Sequence, residues 1–239
     1  MIYTSQAKSL KLNGDILKLI AAITMFIDHT GAILYPNIMF LRIIGRIAFP
    51  IFVFFIAEGC IYTRNKGKYL LNICLFAAIT QTVKIIFKDT DDFNVLFTFA
   101  VSVVIITVFQ YTADSIGRKN KGQSVFMMLI FVLIIYAVWF VNRIVVIQYG
   151  FWGCLAPFIV YLSRYFRKGN DGLNTKVALL AIAMSAVYMV YGGVQSYAYL
   201  AVPLLLCYSG QKGGKVPKYF FYIFYPSHLA ILYMLKNFI

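Results

Sequence analysis

The chain has 239 residues, of which 62% are hydrophobic and 13% charged, about half the charged share of ordinary globular domains. That composition excludes a water-soluble fold. A formal charge of +14, from 22 Lys and Arg against 8 Asp and Glu, then reflects either membrane orientation or a polyanionic partner. The hydrophobic residues come in blocks of about 16–24, matching ~30 Å of hydrocarbon at ~1.5 Å per helical residue. The predicted class is all-α, a polytopic transmembrane helical bundle of about nine spans in a single domain over 1–239.

In chain order the spans are expected near 16–36, 40–63, 69–88, 93–111, 124–141, 149–166, 175–192, 195–210 and 219–238. The polar stretch before the first lacks the apolar core and cleavage site of a signal peptide, so the first block is expected to be retained. The seventh and eighth are short enough to be tilted, re-entrant or broken, with Gly192 and Gly193 as the hinge between them. With the N-terminus cytoplasmic, the inner segments collect 15 of the 22 cations: Lys8, Lys11, Arg64, Lys66, Lys68, Arg118, Lys119, Lys121, Arg164, Arg167, Lys168, Lys176, Lys212, Lys215 and Lys218. The outer segments hold Lys88, Arg143 and Lys236, with Asp89, Asp91 and Asp92 beside Lys88. This alternation follows the positive-inside rule and removes the case for a nucleic-acid partner, because no single face collects the charge. The partner it leaves is the lipid bilayer. Cys60, Cys74, Cys154 and Cys207 fall singly in apolar stretches and are expected to be buried apolar side chains rather than disulfides or metal ligands.

Four cations remain inside the spans, Lys18, Arg42, Arg46 and Lys84, joined there by Asp28, His29, Glu58 and His228. Each charge near mid-bilayer costs about 2.5–3.5 kcal/mol on insertion scales, so each requires a partner or a function. Lys18 and His29 lie close to three helical turns apart and share a stripe with Ala22 and Met25. Arg42 and Arg46 share a face, Gly45 permits close helix approach, and Pro50 cannot donate to the Arg46 carbonyl, so a kink is expected beside that arginine. Asp28 and His29 point about 100° apart, so Asp28 is expected to bridge to Arg42 or Arg46 instead. His29 and His228 sit at similar depths, which suggests a shared cavity. A two-histidine metal site with Asp28 or Glu58 is a competing reading on a spacing that is not diagnostic. Thr80, Gln81 and Lys84 form a further polar patch.

The block from Leu17 through Asp28, His29 and Gly31, the run Leu41-Arg42-Ile43-Ile44-Gly45-Arg46 to Pro50, Ala57-Glu58-Gly59, and the final Tyr225-Pro226-Ser227-His228-Leu229 resemble the TraX family, named for the conjugation protein that N-acetylates pilin. A wider resemblance is to transmembrane acyltransferases marked by a basic residue, ten intervening residues and a histidine, here Lys18 and His29. The resemblance implies a membrane acetyltransferase that uses cytoplasmic acetyl-CoA on a peptide or glycan acceptor. His29 would be the base, with Asp28 and Arg46 in the catalytic set. The donor set would include Lys18, Arg42, Glu58, Arg64 and His228, and no metal is expected. The residues alone leave two alternatives, a proton-coupled or anion transporter and a noncatalytic membrane scaffold.

Overall fold

The computed structural model describes residues 11–166, 172–217 and 219–238. Of the cations assigned to the inner segments, Lys8, Arg167, Lys168 and Lys218 lie outside these residues. The described residues form α1 (Gly14–Ile33), α2 (Met39–Gly45), α3 (Ala48–Tyr62), α4 (Lys66–Ile86), α5 (Val95–Gly117), α6 (Lys121–Ile144), α7 (Gly150–Tyr161), α8 (Gly172–Tyr191), α9 (Ala201–Leu206) and α10 (Phe220–Lys236). Short 3₁₀ segments cover Leu162–Arg164 and Gly193–Leu200. Among these residues there is no strand, only two isolated bridges, Leu12 with Tyr208 and Phe93 with Ile147.

Four long helices begin at an asparagine. The side chains of Asn13, Asn65, Asn94 and Asn120 accept from the backbone N–H groups of Ile16, Lys68, Leu96 and Gln123 at 3.0, 2.8, 3.1 and 3.2 Å. Each cap satisfies one of the donors a helix start leaves unpaired and contributes about 1 kcal/mol. These caps set the starts of α1, α4, α5 and α6.

Among the described residues, six helical stretches are long and apolar enough to cross a membrane: α1, the 24-residue α2–α3 pair, α4, α5, α6 and α8. The chain is thus a multi-pass membrane protein. The other three expected blocks fold as shorter helices. The 12-residue α7 starts after the left-handed Tyr149 (φ 62°), and Gly193–Leu206 begins as 3₁₀ helix, while α10 has 17 residues. The glycine hinge lies where expected, with Gly192 at φ 58° and Gly193 at φ 50°. The block before it, expected to be short, is instead the regular 20-residue α8.

The expected kink beside Arg46 is a short interruption of the α-helical ladder, with Arg46 and Ile47 still in right-handed helical dihedrals. Helix α2 stops at Gly45, the chain turns through Arg46 and Ile47, and α3 restarts with Pro50 in its first turn, where a missing N–H costs nothing. A dry core of Leu17, Ile51, Phe54, Val103, Ile106 and Leu180 joins α1, α3, α5 and α8. Helix α6 lies outermost and buries no residue, although it is the most apolar of the candidate spans. Its exposed Phe126, Leu129, Val132, Leu133 and Trp139 would aggregate in water, and lipid is the solvent that suits them.

Backbone bonds tie the loops together at each end of the bundle. At one end Leu12 N donates to Cys207 O and Ser209 N to Leu12 O, both at 2.8 Å, joining the start of α1 to the α9–α10 loop. At the other, Phe93 N donates to Val146 O at 2.9 Å and Gln148 N to Phe93 O at 3.0 Å, joining the α4–α5 and α6–α7 loops. One cysteine departs from expectation. Cys60 and Cys154 are buried and Cys207 half-buried, but Cys74 is exposed on α4, because an apolar residue of a membrane helix serves as well on the lipid face as in the core.

Candidate functional site

The intramembrane polar residues gather mainly around a cavity of 410 Å³ bounded by α1, α2, α3, α5, α10 and the loops at the Asp89 end. Asp28, His29, Arg42 and Arg46 all line it, as do Lys84, Asp89 and Asp92.

Asp28 bridges to both arginines. Its Oδ2 accepts from Arg42 Nη1 at 2.9 Å, and Arg46 Nη2 donates to Oδ1 and Oδ2 at 2.5 and 2.6 Å. Arg42 Nη1 also donates to the Asp28 carbonyl at 3.1 Å, and Arg46 Nε to the Arg42 carbonyl at 3.3 Å. The approach of α2 to α1 depends on Gly45, where a Cβ would collide with the Asp28 side chain. Gly45→Ala is therefore expected to separate the arginines from the carboxylate and reduce the yield of monodisperse protein in detergent, read by size-exclusion chromatography. One carboxylate against two guanidinium groups leaves a net positive centre. Arg46 is the buried anchor, with a side chain 6% exposed, and Arg42, at 29%, is the one open to a ligand.

The histidines do not share a cavity, since His29 lines the first and His228, expected in the donor set, lines neither, but the two rings are in direct contact. His29 Nδ1 lies 2.7 Å from His228 Nε2, and His228 Nδ1 lies 2.8 Å from the Phe224 carbonyl. A carbonyl can only accept, so a neutral His228 donates from Nδ1 and accepts at Nε2. His29 must then donate from Nδ1, which leaves its Nε2 as an unprotonated lone pair. The rings are stacked at 4.9 Å between centroids, with Tyr225 5.9 Å from His29 and 5.6 Å from His228. Among the described residues, no group of three or more His, Cys, Asp or Glu side chains is placed to hold a metal ion.

Other candidates lie elsewhere. Glu58 is buried in an ion pair with Lys176 of α8 and lines neither this cavity nor the one described next. Lys176, assigned from sequence to an inner loop, is buried inside α8 because this carboxylate faces it. Breaking a buried pair on one side costs about 3–5 kcal/mol, whereas replacing both partners by apolar residues is often neutral. Glu58→Leu alone should lower the melting temperature in detergent, and adding Lys176→Leu should restore most of it. Arg64 is exposed just beyond α3 and also lines neither cavity.

Lys18 lines a second cavity, of 560 Å³, at the end of the bundle where α1 begins. Its Nζ sits 4.0 Å from Asp15 Oδ1 and 4.9 Å from the Phe55 ring centroid. Lys68 and Lys212 line the same space, so three lysines converge there from widely separated segments. The predicted stripe on α1 is real: Lys18 faces the second cavity, His29 the first, and Met25 both.

The sequence singles out Lys84 but not its partners in the first cavity. Lys84 pairs with Asp92 and lies 3.6 Å from Asp89, Tyr233 donates to Asp89, and Tyr149 stacks on Phe49 at 3.6 Å. The signal for the acidic partners is the loop of Asp89, Asp91 and Asp92 that follows Lys84. Gln81, from the predicted polar patch, accepts from Asn94 Nδ2 at 3.0 Å and holds that loop to α4.

A bundle of apolar helices carrying a paired-histidine and arginine centre inside the membrane is a multi-pass membrane protein with an intramembrane polar site. The TraX family profile, described as TraX protein, matches residues 13–236, and the chain belongs to this family. It is 28% identical to a probable fimbrial assembly protein, FimC of serogroup H1, from Dichelobacter nodosus, over 93% of this chain and 95% of that protein. It is also 36% identical to an uncharacterized protein of Rickettsia prowazekii (strain Madrid E), over 42% of this chain and 39% of that one. No solved structure matches the chain.

Proposed function

We propose that this protein is an integral membrane acyltransferase that moves an acetyl group from cytoplasmic acetyl-CoA to an amine, such as a peptide N-terminus, or to a hydroxyl of a peptide or glycan. The observation that carries the reading is the His29–His228 pair, whose hydrogen bonds leave one imidazole lone pair in a cavity that also holds the Asp28–Arg42–Arg46 centre and Lys84 with Asp89, Asp91 and Asp92. Family membership is compatible with it, and the Lys18 and His29 spacing resembles that of transmembrane acyltransferases. The relative named as a fimbrial assembly protein makes a pilin-like subunit the first acceptor to try.

In this reading the nine helical blocks all cross the membrane, with the N-terminus cytoplasmic. Support comes from the end of the bundle at which α1 starts, which carries Lys11, Arg64, Lys66, Lys68, Lys212 and Lys215, while the opposite end carries Asp89, Asp91 and Asp92. The second cavity then faces the cytoplasm. Its Lys18, Lys68 and Lys212 suit the phosphates of the donor, which supplies the activated thioester.

His29 Nε2 takes the proton from the acceptor nitrogen or oxygen as that atom attacks the thioester carbonyl carbon. Arg42, braced by Asp28 and Arg46, stabilises the oxygen as charge develops on it. A C–N or C–O bond forms, the C–S bond breaks, and His29 returns the proton to the departing sulfur. Purified protein given acetyl-CoA and a peptide with a free N-terminus is expected to release CoA thiol in proportion to the peptide. Release that is absent, or indifferent to the acceptor, removes the proposal.

A further inference from the structure

The two cavities share one set of lining side chains. Met25 of α1, Phe52 of α3, Val95 and Phe99 of α5, and Tyr225 of α10 line both at once. Met25, Phe99 and Tyr225 are buried and Phe52 and Val95 half-buried, so together they fill the boundary between the two spaces. It contains no charged side chain, whereas lysines line the space on one side and the arginine centre the space on the other. Tyr225 stands against both rings of the histidine pair. These five side chains are thus the shared boundary between the lysine side and the space that holds His29.

From this arrangement we infer that Met25, Phe52, Val95, Phe99 and Tyr225 form a septum with two roles: it seals one cavity from the other, and it is the aperture that limits the size of the acyl group passed to the histidine side. The second role rests on the acyl-transfer reading; the first does not. An apolar aperture admits a short acyl chain without desolvating charge and blocks water and ions, which would need polar partners in the gap. It discriminates by width, and in a closely fitted apolar site an extra methyl or methylene is worth about 10–200-fold in selectivity. The residues that set the tolerated acyl width are then these five, and neither the lysines nor the histidines.

Two measurements decide it. Proteoliposomes loaded with a halide-sensitive dye should exclude iodide when they hold the wild-type protein, and should admit it when Met25→Ala and Phe52→Ala are combined, because the two cavities then join. In parallel, thiol release from acetyl-CoA and the branched isobutyryl-CoA should favour acetyl in the wild type, and Phe52→Ala should shift that ratio towards isobutyryl by about tenfold or more. Phe52→Leu, which keeps more of the packing, should move both readouts in the same direction by less. Liposomes that stay tight with the double variant overturn the septum whether or not any acyl group is transferred. An unchanged acyl ratio in variants that still turn over acetyl-CoA overturns the aperture and leaves the acyltransferase reading standing. A wild type that transfers no acyl group removes both the aperture and the function reading, and the iodide result alone then judges the seal.

Discussion

Replacing His29 with alanine is expected to lower acyl transfer by about 10²–10⁴-fold, the range a positioned general base contributes, while the protein stays folded. Its side chain is half-buried and makes one polar contact, to His228, so its loss leaves no buried charge without a partner. His228→Ala is expected to fall between the wild type and His29→Ala. It leaves the His29 lone pair in place but removes the acceptor that keeps the proton on Nδ1, so the productive tautomer becomes one of two. The comparison separates the roles, since a purely structural pair would lose folded protein in both variants and a base with its positioning partner loses rate in a graded order. Initial rates of amine-dependent thiol release, with size-exclusion profiles for each variant, give the reading.

The second large effect is on folding. Asp28→Ala removes the carboxylate that holds two guanidinium groups in the membrane, and the cost of an uncompensated buried charge is about 3–5 kcal/mol. Arg46, with its side chain 6% exposed, cannot reach water without moving α2 away from α1. Little monodisperse protein should therefore be recovered. Asp28→Asn keeps the shape and an acceptor oxygen but loses the charge, so it should be recovered with a lower melting temperature. Equal yields and melting temperatures for all three proteins would show that the arginines find other partners and that Asp28 does not organise the site.

How much of this was legible in the sequence follows from what helical periodicity encodes. It fixes the face and depth of a residue along its own helix. So Asp28 with Arg42 and Arg46, neighbours across one short hairpin, could be read directly, as could the kink beside Arg46 and the hinge at Gly192 and Gly193. The matched depths of His29 and His228 suggested a shared cavity, and the structure brings the rings into contact. Periodicity does not fix which helices are neighbours. The partner of Glu58 is 118 positions away in α8, and the donor set expected from resemblance scatters: Lys18 joins Lys68 and Lys212, while Glu58 and Arg64 line neither cavity. The layer containing Met25, Phe52 and Tyr225 was invisible for a different reason. Apolar residues facing a cavity, a core and lipid look alike when every solvent is apolar.

The central claim is that His29, oriented by His228, takes a proton from an acceptor as an acetyl group moves onto it. The most direct test uses the wild-type protein in liposomes with acetyl-CoA labelled in its acetyl carbon and a pilin-like peptide bearing a free N-terminus, followed by intact mass measurement of the peptide. The account predicts one labelled acetyl group on the peptide N-terminus with the wild type and none above background with His29→Ala. Labelling that is equally fast with His29→Ala would contradict it.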